Sequence, residues 1–228
     1  MLRIQLQNFL PTINSAEDIF ELFHKLKYPS AIFFDTKYKR KIEDFDFKAE
    51  EKQRIRNIYT VFSFEKNLTV FLVETTSFAS KLIKYLAKVF SDRYDSVLVV
   101  VTKDYSDLLF VLPEYERDTK GKPKLKITKL FVKTDEPYYT ALEILASIAY
   151  EGTERGWRDV RRKWKEAFNV ERVTESFFED YKRIFFDVRN LLLEQGIERK
   201  DAHQFTLQLL NRIMFIDNPL PKHLQSQL

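Results

Sequence analysis

IYTVFSFEKNLTVFLVETTSFASKLIKYLAKVFSDRYDSVLVVV, residues 58–101, is the stretch whose reading decides the fold. Its first part, residues 58–64, and its second, 68–73, are rich in β-branched and aromatic side chains and flank the polar step Glu65-Lys66-Asn67, which predicts a β-hairpin. SVLVVV, residues 96–101, is apolar almost throughout. Unbroken apolar character belongs to strands covered on both faces, so 68–73 and 96–101 are expected at the centre of a sheet. Between them, residues 77–90 place Phe78, Leu82, Leu86 and Val89 on one side of a helix and Lys81, Lys84 and Lys88 on the other. Glu74-Thr75-Thr76 ends the second strand at a strand-to-helix corner, where α/β proteins often place their chemistry.

Upstream, Asn14 or Ser15 can cap a helix beginning at Ala16, with Ile19, Phe20, Phe23 and Leu26 on one face; Pro29 stops it. Residues 31–35 read as a short strand or loop, and 36–56 as a charged, poorly periodic excursion. Downstream, residues 107–113 and 125–133 read as strands joined by the loop 114–124, which carries Gly121 and Pro123. Pro137 fits the first turn of a helix containing Tyr138, Leu142, Leu145 and Ile148. The predicted fold is α/β: a mixed, mainly antiparallel, nuclease-like sheet with flanking helices over 1–150, followed by an all-α helical hairpin over 171–228. Between them, 151–170 is expected to be a basic connector holding both tryptophans. In the last segment Thr174 can cap a long helix with Gly196 just past its end; Asp201 starts another, and Asp217-Asn218-Pro219 breaks it. This hairpin has more apolar surface than it can hide alone, so a partner surface is expected.

At 228 residues the chain can bury a sizeable core, and 44% hydrophobic with 32% charged residues excludes a disordered polymer. The 21 phenylalanines fall mostly in periodic segments, as core side chains do. A net charge of +4 is compatible with a polyanionic partner without demanding one. With no cysteine, thiolate metal sites, disulfides and cysteine nucleophiles are excluded, and a reducing cytoplasm is the expected location. No secretory leader or membrane-spanning run is legible, so no membrane partner is expected. His24, His203 and His223 show no ligand spacing.

VERVTESFFEDYKRIFF (170–186) followed by DAHQFTLQLLNRIMFI (201–216) resembles the helical segment preceding the catalytic domain of large, type IIG-like restriction-modification adenine-specific DNA methyltransferases. Residues 70–113 and 136–152 are similar to the N-terminal region of the same proteins, an often eroded nuclease-type α/β fold of the PD-(D/E)XK kind. The resemblance implies DNA and a methyltransferase catalytic domain or subunit as partners, in restriction-modification or phage defence. The chain departs from that family where methylation would occur. A methyltransferase needs a Gly-rich turn for S-adenosylmethionine and an Asn/Asp-Pro-Pro-Tyr/Phe-like loop for the adenine. The chain has four glycines, none in such a turn, and Asn218-Pro219 lacks the second adjacent proline and the aromatic.

Nucleases of this kind hold Mg²⁺ with an Asp and a Glu-x-Lys on adjacent strands. Glu74 stands where that Glu would be, as catalytic residue and metal ligand, but Thr76 replaces the lysine. Lys81 or Lys84 would have to substitute in space, with Asp18 or Glu21 as a second acid. For DNA contact the candidates are Lys81, Lys84, Lys88 and Arg93 as a stripe along one face, and Arg158, Arg161, Arg162, Lys163 and Lys165 around Trp157 and Trp164. A solvated helix face accounts for the first group as well, and i, i+4 pairing on an exposed helix for the second, since Glu151, Glu154, Asp159 and Glu166 lie among it. Three functions remain open. The first is a non-catalytic module that positions DNA and packs on a methyltransferase. The second is a Mg²⁺-dependent DNA endonuclease. The third is a stand-alone scaffold forming homo-oligomers through 177–216.

Overall fold

The computed structural model describes residues 1–28, 39–64, 67–117 and 121–216; of 170–177, 179 and 214–216 it describes the backbone alone. The readings of 31–35 as strand or loop, of Pro29 as a helix stop and of Asp217-Asn218-Pro219 as a helix break lie outside the described residues. The chain divides into two compact units, Met1–Val170 and Glu171–Leu228.

The first unit is built on a six-stranded sheet whose spatial order follows the chain: β1 (Lys39–Arg40), β2 (Ile55–Phe64), β3 (Leu68–Thr75), β4 (Ser96–Thr102), β5 (Asp107–Arg117) and β6 (Pro123–Lys133). Every pair is antiparallel except β3 and β4, which run parallel because helix α4 (Ser80–Ser91) carries the chain back between them. The fold is therefore α/β with a mixed, mainly antiparallel sheet. β3 and β4 are its centre, and β4 is buried from end to end. The β5–β6 hairpin is longer than the sequence suggests. Glu114–Arg117 and Pro123–Lys124 join the ladder in the register Glu114↔Lys126 to Arg117↔Pro123, because cross-strand Glu/Lys pairing holds these polar ends in place. Gly121, at φ +75, occupies the left-handed position in the shortened tip.

Strand alternation divides the core into two layers. Phe71 and Val73 of β3, Val97, Val99 and Val101 of β4 and Leu109 and Val111 of β5 face α4, whose Leu82, Ile83, Leu86, Ala87 and Phe90 cover them. Phe71 and Phe90 stack at 4.5 Å between ring centroids. The charged excursion preceding β2 folds over this layer as a 3-10 turn and the short α3 (Ala49–Lys52), delivering Phe45 and Phe47 to it. Tyr85 ties the excursion down: its hydroxyl accepts from the Lys48 amide (2.7 Å) and donates to the Asp46 carbonyl (3.2 Å).

The opposite layer gathers α1 (Leu2–Phe9), α2 (Ala16–Lys25), α5 (Tyr139–Ser147) and α6 (Trp157–Ala167). Helix α1 has no counterpart in the sequence reading. Ser15 caps α2 in a capping box with Asp18. Phe62 of β2 meets Phe23 (5.4 Å), Tyr28 (4.9 Å) and Trp164 (6.4 Å). Trp164 is fully buried, and its indole N–H donates to the Tyr28 hydroxyl (2.7 Å), which donates to the Ile148 carbonyl (2.5 Å). Burial holds the Tyr28 phenol far above its ordinary pKa, against the opposing effect of the Trp164 hydrogen bond. The segment expected as a connector thus supplies a core side chain and belongs to the first unit, which runs to Val170.

The second unit is a helical hairpin of α7 (Val170–Glu194) and α8 (Arg199–Ile216). α7 starts ahead of Thr174, which lies inside it and does not cap it. It ends in a Schellman motif: the Gly196 amide donates to Leu193 (3.0 Å), the Ile197 amide to Leu192 (3.1 Å), and Gly196 takes φ +82. Phe185 packs edge-on to His203 (5.1 Å), and Ala202, Thr206 and Leu210 are buried. Phe178, Leu191 and Phe205 remain more than half exposed. No helix among the described residues is long and apolar enough to cross a membrane.

Candidate functional site

The carboxyl end of the parallel β3–β4 pair is where the sequence places Glu74, and the ladder decides what surrounds it. Asn57 of β2 lies directly opposite Glu74, and its side-chain amide donates to Glu74 Oε2 at 2.5 Å. On the other side Thr102 ends β4 and organises the following turn. Its hydroxyl donates to the Asp107 carbonyl (3.0 Å) and accepts from the Tyr105 amide (2.8 Å). Asp104 adds an Asx-type turn by accepting from the Ser106 hydroxyl (2.6 Å) and amide (3.3 Å). These bonds hold Tyr105 at φ +68, a left-handed conformation a non-glycine residue seldom adopts, and aim its hydroxyl at Glu74 Oε1, to which it donates.

Both carboxylate oxygens of Glu74 therefore accept from neutral donors. Burial, the hydrogen bond to Glu74 and the negative charges of Glu74 and Glu17 all raise the Tyr105 pKa, keeping the phenol a donor at neutral pH. Burial, Glu74 and Glu17 raise Tyr59 similarly. Glu17, in the first turn of α2, is the helix carboxylate within electrostatic reach. Asp18 and Glu21 are committed elsewhere, Asp18 to the cap of its own helix and Glu21 to Lys25 at 3.3 Å.

Lys81 and Lys84 do not join Glu74. Strand alternation points Phe71 and Val73 at α4 and Leu72 and Glu74 at the opposite layer, while Lys81 and Lys84 lie on the outer, exposed side of α4. The sheet and the helix both stand between them and the carboxylate. The residues present do not fit a nuclease metal centre: Glu74's oxygens are taken by Asn57 and Tyr105. Among the described residues no group of three His, Cys, Asp or Glu side chains could hold a metal ion. Asn57, Tyr59 and Tyr105 were not visible as site residues beforehand. The signal for Asn57 was its hairpin register opposite Glu74; for Tyr105, its place in the turn after the neighbouring parallel strand.

The two cation groups differ in their surroundings. On α6, Lys163 pairs with Glu151 (2.9 Å) and Glu154 (3.0 Å), Arg162 with Asp159 (2.9 Å), and Lys165 with Glu114 (3.3 Å). Arg158 lies over the Trp157 ring at 5.0 Å, and Arg161 lines a cleft with Asp92, Asp95 and Glu114. Glu154 is pushed up by burial but pulled further down by Lys163 and backbone N–H groups, so its net shift is downward. On α4, Lys81, Lys84 and Lys88 are exposed and have no carboxylate within ion-pair distance among the described residues, although Lys88 lines a cleft with Asp44, Asp46 and Asp92. Arg93 is separate from that row: it donates to the Asp44 carbonyl and sits over Phe45 at 5.4 Å.

Compared with family models, with curated proteins and with solved structures, the chain matches none of them.

Proposed function

We propose that this chain is a DNA-positioning module of a restriction-modification or phage-defence methyltransferase, and that it neither cuts nor methylates DNA itself. The observation that carries the reading is the row Lys81-Lys84-Lys88, exposed along one helix and, among the described residues, without the carboxylate ion pairs that Arg162, Lys163 and Lys165 of α6 make. Clustered unpaired cations release counterions when they meet phosphates, which is what sequence-independent DNA contact requires. The closure of Glu74 by Asn57 and Tyr105 favours a silent module over an endonuclease. The exposed Phe178, Leu191 and Phe205 of the α7–α8 hairpin suit packing against a methyltransferase catalytic domain or subunit.

The test is to incubate supercoiled plasmid with the chain and with its Glu74→Ala variant, in Mg²⁺ or Mn²⁺, and follow cleavage and retention in one gel. Intact plasmid retained at low salt and released at high salt is the expected result. Cleavage by the chain that disappears in Glu74→Ala would overturn the proposal in favour of a nuclease.

A further inference from the structure

The α4 side of the sheet continues outward onto β6, the edge strand. Leu109 of β5 stands opposite Phe131, Val111 opposite Lys129 and Asp107 opposite Lys133, so Lys129, Phe131 and Lys133 share the face that α4 packs on. The edge-on contact of Phe131 with Phe78, at 6.2 Å, fixes that assignment and brings Phe131 to the α4 N-terminal end, where Lys81 begins the lysine row. Lys129 and Lys133 are exposed, and neither makes an ion pair among the described residues; Asp107 does not pair with Lys133. Phe131 is 43% exposed.

Lysines on an edge strand also guard against edge-to-edge pairing, a role open to the exposed Lys124 on the other face, where Lys126 pairs with Glu116. A guard does not need a large aromatic left open between two cations. We propose that Lys129, Phe131 and Lys133, continued by Lys81, form a platform for unpaired DNA, the ring stacking a base and the lysines holding the phosphates on either side. The two β6 lysines stand about 13 Å apart along the strand, one on each side of the ring. Aromatic stacking beside a cationic track is the general solution for single strands, because every base has a π-face. This inference rests on the DNA reading above and narrows it to a strand that has left the duplex.

The test measures anisotropy of a labelled single-stranded DNA oligonucleotide, the same strand annealed to its complement, and an RNA strand of the same sequence, each titrated with the full chain. Phe131→Ala should weaken single-strand binding about fivefold or more and leave duplex binding unchanged. Phe131→Leu, which keeps an apolar contact with Phe78 but removes the flat ring, should do the same. The pair Lys129→Gln and Lys133→Gln should reduce the single-strand salt slope by about 1.4. Duplex binding with single-strand binding indifferent to both Phe131 variants would overturn the platform and leave the DNA reading standing. Binding to neither form would overturn both, and tighter binding to RNA would overturn the assignment to DNA.

Discussion

Trp164→Phe is the sharpest test of where the first unit ends. If residues 151–170 were a mere connector, this substitution would be nearly silent. Instead Trp164 is fully buried, touches Phe62 and donates to the Tyr28 hydroxyl at 2.7 Å. Losing that hydrogen bond costs about 1 kcal/mol. The smaller ring forfeits about 1 kcal/mol more in packing. A total of about 2 kcal/mol lowers the folded-to-unfolded ratio roughly 30-fold and, for a unit of this size, the midpoint by about 4–8 °C. Tyr28→Phe should cost at least as much, about 2–3 kcal/mol, because it orphans both the indole N–H and the buried Ile148 carbonyl. The two share one bond, so the double variant should fall short of additivity by about 1 kcal/mol. Urea unfolding followed by circular dichroism reads all three. A Trp164→Phe midpoint within experimental error of the wild type, or strict additivity, would refute the placement of α6 in the core.

Ser15→Ala removes the hydroxyl of the capping box and should destabilise the first unit by about 1 kcal/mol in the same assay. At alkaline pH, Tyr105 gives a signed expectation. Its folded pKa lies above the ordinary value of 10.0, so its contribution is complete below pH 10 and is lost as the pH rises beyond it. Tyr105→Phe should therefore flatten the alkaline limb of the stability curve, and an unchanged limb would count against the Glu74–Tyr105 bond. Glu154 works in the other direction: its folded pKa is lowered below 4.5, so its stabilisation is present above that value and fades as acid takes the pH through the lower folded value. Lys163→Met should shrink that acid-side loss, measured by thermal melts between pH 3 and 7.

The α/β class, the two central strands and the helix between them were legible because β3, α4 and β4 carry unambiguous periods: unbroken apolar strands around a helix with lysines on one side. Helix α1 was not: Leu2, Leu6 and Phe9 hold helical spacing, but Leu2, Ile4 and Leu6 alternate as strand residues also do, and the run is only eight residues long. The extra length of the β5–β6 hairpin was hidden because Glu114–Arg117 is polar and Pro123 reads as a breaker; the cross-strand pairing that carries the ladder past them is nonlocal. Trp164 looked like part of a basic surface knot because its neighbours in sequence are charged, whereas its neighbours in space, Tyr28 and Phe62, lie more than a hundred residues away. Glu74 was correctly located at a strand end, but which layer it faces is a question of strand parity. That parity sets Glu74 among Asn57, Tyr59 and Tyr105 and takes Lys81 and Lys84 out of its reach.

Duplex DNA affinity measured across a range of salt concentrations, for the wild-type chain and for Lys81→Gln/Lys84→Gln/Lys88→Gln, tests the central claim most directly. With each lysine neutralising one phosphate, the account predicts weaker binding and a log–log salt slope shallower by about 2.7 in the variant. Equal affinity and equal slope would contradict it and remove the α4 row as the DNA-contacting surface.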